Sequence, residues 1–181
     1  SSAASDVYKR QPFHYFDESL YQMVSGYRRH LLIPKDWQGK QILLTFEGAA
    51  HDSTVFCNGK KVGEHHCGYT AFTVDLTDNV LYGQDNLLCV RLDSRENLNV
   101  PPFGYVIDYM TYGGIYRDVY LQFMNPVHIA TNDYASSGVY IRTPEGNNSA
   151  ASVEITTLLT NNTLQPAEIR VENVICDADG K

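Results

Sequence analysis

The sequence predicts an all-β chain: a two-sheet sandwich followed by the start of a second sandwich. Three observations carry this. Bulky and polar residues alternate in run after run from Tyr27 onward. Each run is strand length and bounded by Gly, Pro or Asn. No segment keeps a 3.6-residue period long enough for a helix, a short turn at FDESLYQM (residues 16–23) apart.

The runs follow in order as YRRHLLI, KQILLTFEG, STVFCNG, KKVGEHH, YTAFTVDL, NLLCVRLDS and GIYRDVYLQF. Asn58-Gly59 is the strongest hairpin signal, because both central positions of a two-residue type I′ turn need positive φ. Pro34, Gly39, Gly48, Gly83 and Pro101-Pro102 punctuate the rest. Seven or more antiparallel strands in so short a span imply a sandwich of jelly-roll type over residues 12–125.

After Asn125-Pro126 the texture changes. Val127-His128-Ile129 leads into GVYIRT, ASVEITTLLTNN and AEIRVENVICDADGK. Three strands and a leading one fall short of the roughly seven of an immunoglobulin-like sandwich. Residues 126–181 are therefore expected to be part of such a domain, truncated at Lys181.

The opening SSAASDVYKRQ, residues 1–11, has no apolar h-region and no period. It resembles the in-frame translation of a transposon-type sequencing adapter over all eleven residues. It is set aside as an artefact or disordered leader.

Composition excludes several classes. A formal charge of −7 argues against nucleic acid as a partner, since phosphate backbones are held by clustered Lys and Arg. No apolar run approaches the ~20 residues of a membrane helix, so no membrane partner is expected. Cys57, Cys67, Cys89 and Cys176 lie far apart without a C-x-x-C pair and read as reduced packing thiols. His65-His66-Cys67, with His51 as a third ligand, is weighed as a metal site and set aside, because neighbours on a strand point to opposite faces. Glu47, Asp52, Glu64 and Asp75 show no pairing in the sequence. Trp37 and Tyr105, Tyr109, Tyr112, Tyr116 and Tyr120 suit core or interface packing, and less often stacking on a sugar.

The ordered series YRRHLLIPKDWQGK, LLTFEG, VFCNGKKVGEHHCGYTAFTVDLTD, NLLCVRLD and GGIYRDVYL resembles the N-terminal sugar-binding, galactose-binding-like jelly roll of glycoside hydrolase family 2. β-Galactosidases are the nearest pattern, and the run DYMTYGG also resembles β-glucuronidases. The resemblance implies a retaining exo-glycosidase of carbohydrate metabolism whose two catalytic glutamates sit in a downstream (β/α)8 barrel, leaving no catalytic residue in this span. It further implies that Asp108 contacts the terminal sugar; of the tyrosines, Tyr105 and Tyr109, on the same expected loop, are the best candidates for stacking on it. Gly113 and Gly114 would allow a tight path into the last strand, Arg117 and Asp118 would tie a domain seam, and His65 would be a seam or core histidine.

Gln22-Met23-Val24 stands where some β-galactosidases place a contacting Asn, and Cys67 departs from the usual glycine. The implied partners are the barrel, a carbohydrate and, for the intact enzyme, a homo-oligomer. No cofactor is expected here, while the parent would use the Mg²⁺ or Na⁺ of many β-galactosidases. The compartment is left open, a bacterial cytoplasm being favoured over secretion. The competing readings are a stand-alone carbohydrate-binding module and a structural adaptor.

Overall fold

The computed structural model describes residues 22–95, 97–101, 113–147 and 149–180, and its strand ladders are all antiparallel. The strands are β1 (Val24–Ile33), β2 (Gln41–Phe46), β3 (Ala49–Ala50), β4 (Asp52–Cys57), β5 (Lys60–His66), β6 (Phe72–Asp75), β7 (Gln84–Asp93), β8 (Gly114–Ile115) and β9 (Val119–Met124), then β10 (Val127–Ile129), β11 (Val139–Arg142), β12 (Glu154–Thr157) and β13 (Leu159–Asn161). A four-stranded sheet ordered β1-β7-β4-β5 faces a three-stranded sheet ordered β6-β2-β9.

Alternation does in space what it promises in sequence. On β4, Ser53, Val55 and Cys57 point inward, and on β7, Asn86, Leu88, Val90 and Leu92 do. They meet Ile42, Leu44, Phe46, Phe72, Val74 and Leu76 in one core. The Phe46 and Phe72 rings stack with centroids 4.7 Å apart. The β4–β5 hairpin turns at Asn58 (φ 50) and Gly59 (φ 82), the two left-handed residues a type I′ turn requires.

Strand β2 is the exception to alternation: all six of its residues are buried. Ile42, Leu44 and Phe46 join the core, so Gln41, Leu43 and Thr45 are covered on the outer face too. Thr45 hydrogen-bonds Thr73 and Gln122, and Gln41 donates to Asp75 at 2.7 Å.

The run GIYRDVYLQF departs from one continuous strand. Gly114–Ile115 pairs with β3, whereas Val119–Met124 pairs with β2, and Tyr116–Asp118 bridges the two. Tyr116–Asp118 joins neither ladder, so the run is broken there.

Beyond Asn125, β10 pairs with β13 and β11 with β12. ASVEITTLLTNN, read as one strand, is two, broken at Leu158, whose N–H bonds Gly138 O at 2.8 Å. AEIRVENVIC forms no strand: no described residue from Pro166 to Gly180 joins a ladder. Its alternation is real, but no described strand lies beside it to accept its hydrogen bonds.

Candidate functional site

Gly48, Gly68–Thr70, Pro101 and Gly114–Asp118 gather at one end of the sandwich. Gly68 N–H donates to Pro101 O at 2.7 Å, and Ala50 pairs with Gly114. The two bonds hold Pro101 and Gly114 on the same end of the fold, although the residues lie well apart in sequence. Asp108, Tyr105 and Tyr109, together with Tyr112, fall outside the described residues.

Gly114 has φ +102, a conformation that a side chain strains to adopt. The bareness predicted for Gly113-Gly114 thus has a backbone cause at Gly114. A second bare position was not legible in the sequence. A Cβ on Gly48 would lie 2.9 Å from Tyr116 Cζ and 3.0 Å from Arg117 Cδ. Close approach of the Tyr116 and Arg117 side chains to the Glu47-Gly48 turn therefore depends on Gly48.

Tyr116 Oη donates to Gly68 O at 2.6 Å, and burial pushes its phenol up from its usual value. Arg117 Nη1 reaches the carbonyls of Glu47 and Tyr69 at 3.5 and 3.4 Å, with its guanidinium 5.2 Å from the Tyr116 ring centre. Asp118 contributes its carbonyl, which accepts from Glu47 N–H at 3.0 Å. Arg117 and Asp118 thus staple backbone to backbone at this corner.

His65 stacks on Phe72 with centroids 4.5 Å apart, and its Nε2 meets Thr70 Oγ1 at 2.8 Å. Burial lowers its pKa, with His66 adding to the effect. It is a packing histidine. His66 instead pairs with Asp52 at 2.8 Å, so the two neighbours serve different partners, and no group of three metal-ligating side chains assembles among the described residues. Burial pushes the Cys67 thiol up, but hydrogen bonds from Thr70 Oγ1 and from the N–H groups of Tyr69 and Thr70 outweigh it and hold the thiol below its ordinary value. All four cysteines are free.

His51, next to Ala50, is buried; desolvation lowers its pKa against opposing pulls from the Arg95 backbone and Asp93. Asp93 sits beside it in a double fork: Arg95 donates at 2.6 and 2.8 Å and Arg91 at 3.1 Å. The Arg95 hydrogen bonds are the largest cause holding the Asp93 carboxyl down at about 2.

The carboxylates that look unpaired in sequence are largely occupied. Asp52 holds His66, Glu64 meets Lys61 at 2.6 Å, and Asp75 takes Gln41 and Thr77. Trp37 stacks on Phe123, centroids 4.0 Å apart, and so packs within the protein. Chemically, the corner is a rigid mount: it offers fixed backbone and a pinned strand, and its arginine is spent on carbonyls.

Comparison with known proteins fits this geometry. The family profile described as "Glycosyl hydrolases family 2, sugar binding domain" matches residues 7–126. A β-galactosidase of Thermoanaerobacter pseudethanolicus is 38% identical over 94% of this chain, and a β-glucuronidase of Bacteroides fragilis is 42% identical over 65% of it. The chain covers 23% and 17% of those proteins. The solved structure of Bacteroides uniformis β-glucuronidase 2, covalently bound to cyclophellitol-6-carboxylate aziridine, superposes with a TM-score of 0.75 at 31% identity, over 83% of this chain and 18% of that one.

Proposed function

The chain belongs to glycosyl hydrolase family 2, and from that membership we propose that it is the sugar-binding, non-catalytic N-terminal part of a longer retaining exo-glycosidase. The substrate class is terminal β-galactosides. The jelly roll buttresses a downstream catalytic barrel and carries Asp108 to the terminal sugar, where a carboxylate accepts two hydroxyls in charge-assisted hydrogen bonds and so fixes the ring. Tyr105 and Tyr109 flank that contact.

The observation that supports this most is the mount. Pro101 is tied to Gly68 and Gly114 to Ala50 at the same end of the sandwich, so the segment between them starts and finishes there. The nucleophile and acid/base carboxyls belong to the barrel, about 5 Å apart as retention demands. Any Mg²⁺ or Na⁺ is assigned to the barrel as well.

Identity to β-glucuronidases, 42% over the stretch shared with the Bacteroides fragilis enzyme, supports a second reading, hydrolysis of β-glucuronides. The longer reading frame decides between them. Expressed with its downstream sequence, the enzyme should cleave p-nitrophenyl β-galactoside far faster than the β-glucuronide. The reverse preference establishes the second reading, and a frame that ends without a barrel makes the chain a free-standing carbohydrate-binding module.

A further inference from the structure

We propose that the chain has a second saccharide-binding site, for a neutral pyranose, on the outer face of the β6-β2-β9 sheet where the loop 131–137 stands over it. A cavity of about 280 Å³ lies there, lined by Thr45, Tyr120, Gln122, Thr131 and the turn Ala135–Ser137. That volume is near the lower end of small-ligand sites, ~300–1,000 Å³, and matches one sugar ring better than an oligosaccharide.

The floor follows from strand register. Thr45 faces Tyr120 and Leu43 faces Gln122 across the β2–β9 ladder, so Tyr120 and Gln122, two residues apart, point to the same side. That side is away from the core, which takes Leu44 and Leu121. The wall is a fixed turn. Ser136 N–H donates to Asp133 O at 2.9 Å, Tyr140 Oη donates to Asp133 Oδ2 at 2.5 Å, and Ser136 Oγ meets Tyr140 Oη at 2.9 Å. Tyr134 and Ala135 both hold positive φ, 50° and 54°, so the turn keeps two non-glycine residues in a region they seldom occupy.

Two of the lining side chains keep unspent hydrogen-bonding capacity. Thr131 Oγ1 is buried and has no partner among the described residues. Gln122 spends its Oε1 on Thr45, which leaves its two N–H donors. Tyr120 is 41% exposed and offers a ring face with a hydroxyl at its end. Donors, an acceptor hydroxyl and one aromatic face, with no charged side chain in the lining, suit a neutral polyhydroxylated ring. An anionic sugar would bring a carboxylate with no cation to meet it.

The site is independent of Asp108, and the test keeps the two apart. The full chain, ¹⁵N-labelled, is titrated with methyl β-galactopyranoside, methyl β-glucopyranoside and methyl β-glucuronide, following backbone amides and the Gln122 side-chain NH₂. Both neutral glycosides should shift the amides of residues 131–137 and the Gln122 side chain saturably, with a millimolar dissociation constant, and the glucuronide should bind more weakly. Gln122→Leu and the near-isosteric Thr131→Val should each weaken binding about three- to tenfold with spectra otherwise unchanged. Asp108→Asn should leave these shifts in place. The proposal is overturned if no saturable shift appears there, if shifts are confined to residues 102–118, if neither variant weakens binding, or if the glucuronide binds as well as the neutral sugars.

Discussion

The span up to Met124 and the span after Asn125 are built from equally strand-like sequence, yet they end differently. In the first, two sheets close over Phe46, Ile42, Val55 and Leu92, each at most 1% exposed. In the second, Ile141, Leu164, Val174 and Ile175 are 66–101% exposed, and two-stranded pairs are the largest sheets among the described residues. Alternation specifies which face a residue would present. A neighbouring strand decides whether that face is buried at all.

Substitutions that sharpen this contrast range from large to small. Phe46→Ala should cost about 3–5 kcal/mol, because it empties the stack on Phe72. Ile175→Ala should stay within about 0.5 kcal/mol. Denaturant midpoints of the two variants measure the contrast directly, and a cost at Ile175 approaching that at Phe46 would erase it.

Next comes Asn86, a polar residue 1% exposed inside the first span. Its Oδ1 accepts from Leu81 N–H and Asn58, and its Nδ2 donates to the carbonyls of Leu81 and Gln84. Asn86→Leu strands those partners without water and should cost about 2–3 kcal/mol. Hydrogen exchange at the Leu81 amide should rise with it.

Gly48→Ala tests the corner. Its new Cβ must displace the Tyr116 ring, at about 1–3 kcal/mol, and fluorescence or NMR of Tyr116 should report the movement. A neutral result would mean that Tyr116 is not held against Gly48.

The smallest effect is a pH dependence. The Asp93 carboxyl titrates at about 2 in the fold, against about 3.9 in an unfolded chain. Its stabilisation is therefore complete above pH ~4 and drains away as pH falls from there towards 2. The side chain is only 14% exposed, but its arginine partners are largely solvated, so Asp93→Asn should cost about 1–2 kcal/mol at neutral pH. It should also flatten that acid limb.

The first span was legible because each of its strand runs meets a partner within the same hundred residues, and because Asn58-Gly59 leaves one turn type open. The split of GIYRDVYLQF was not legible, since the partner of Gly114–Ile115 is a two-residue strand at Ala49–Ala50 with no signal of its own. Asn86 was hidden for a related reason: an Asn within a strand run looks like a turn residue until long-range carbonyls surround it. At the corner, the sequence reading gave Arg117 and Asp118 a tie at a domain seam, whereas the contacts described lie within the sandwich: Arg117 reaches the carbonyls of Glu47 and Tyr69, and Asp118 contributes its own carbonyl. Gly48 read only as turn punctuation, because a close approach between distant turns leaves no local trace.

The proposed sugar contact is the Asp108 carboxylate, in the segment between Pro101 and Gly114. Steady-state kinetics of Asp108→Asn in the enzyme extended through its downstream sequence test it most directly. kcat/KM for the preferred glycoside should fall by about a hundredfold or more while the unfolding midpoint stays put. A kcat/KM within twofold of the parent's, in an equally stable protein, would contradict it.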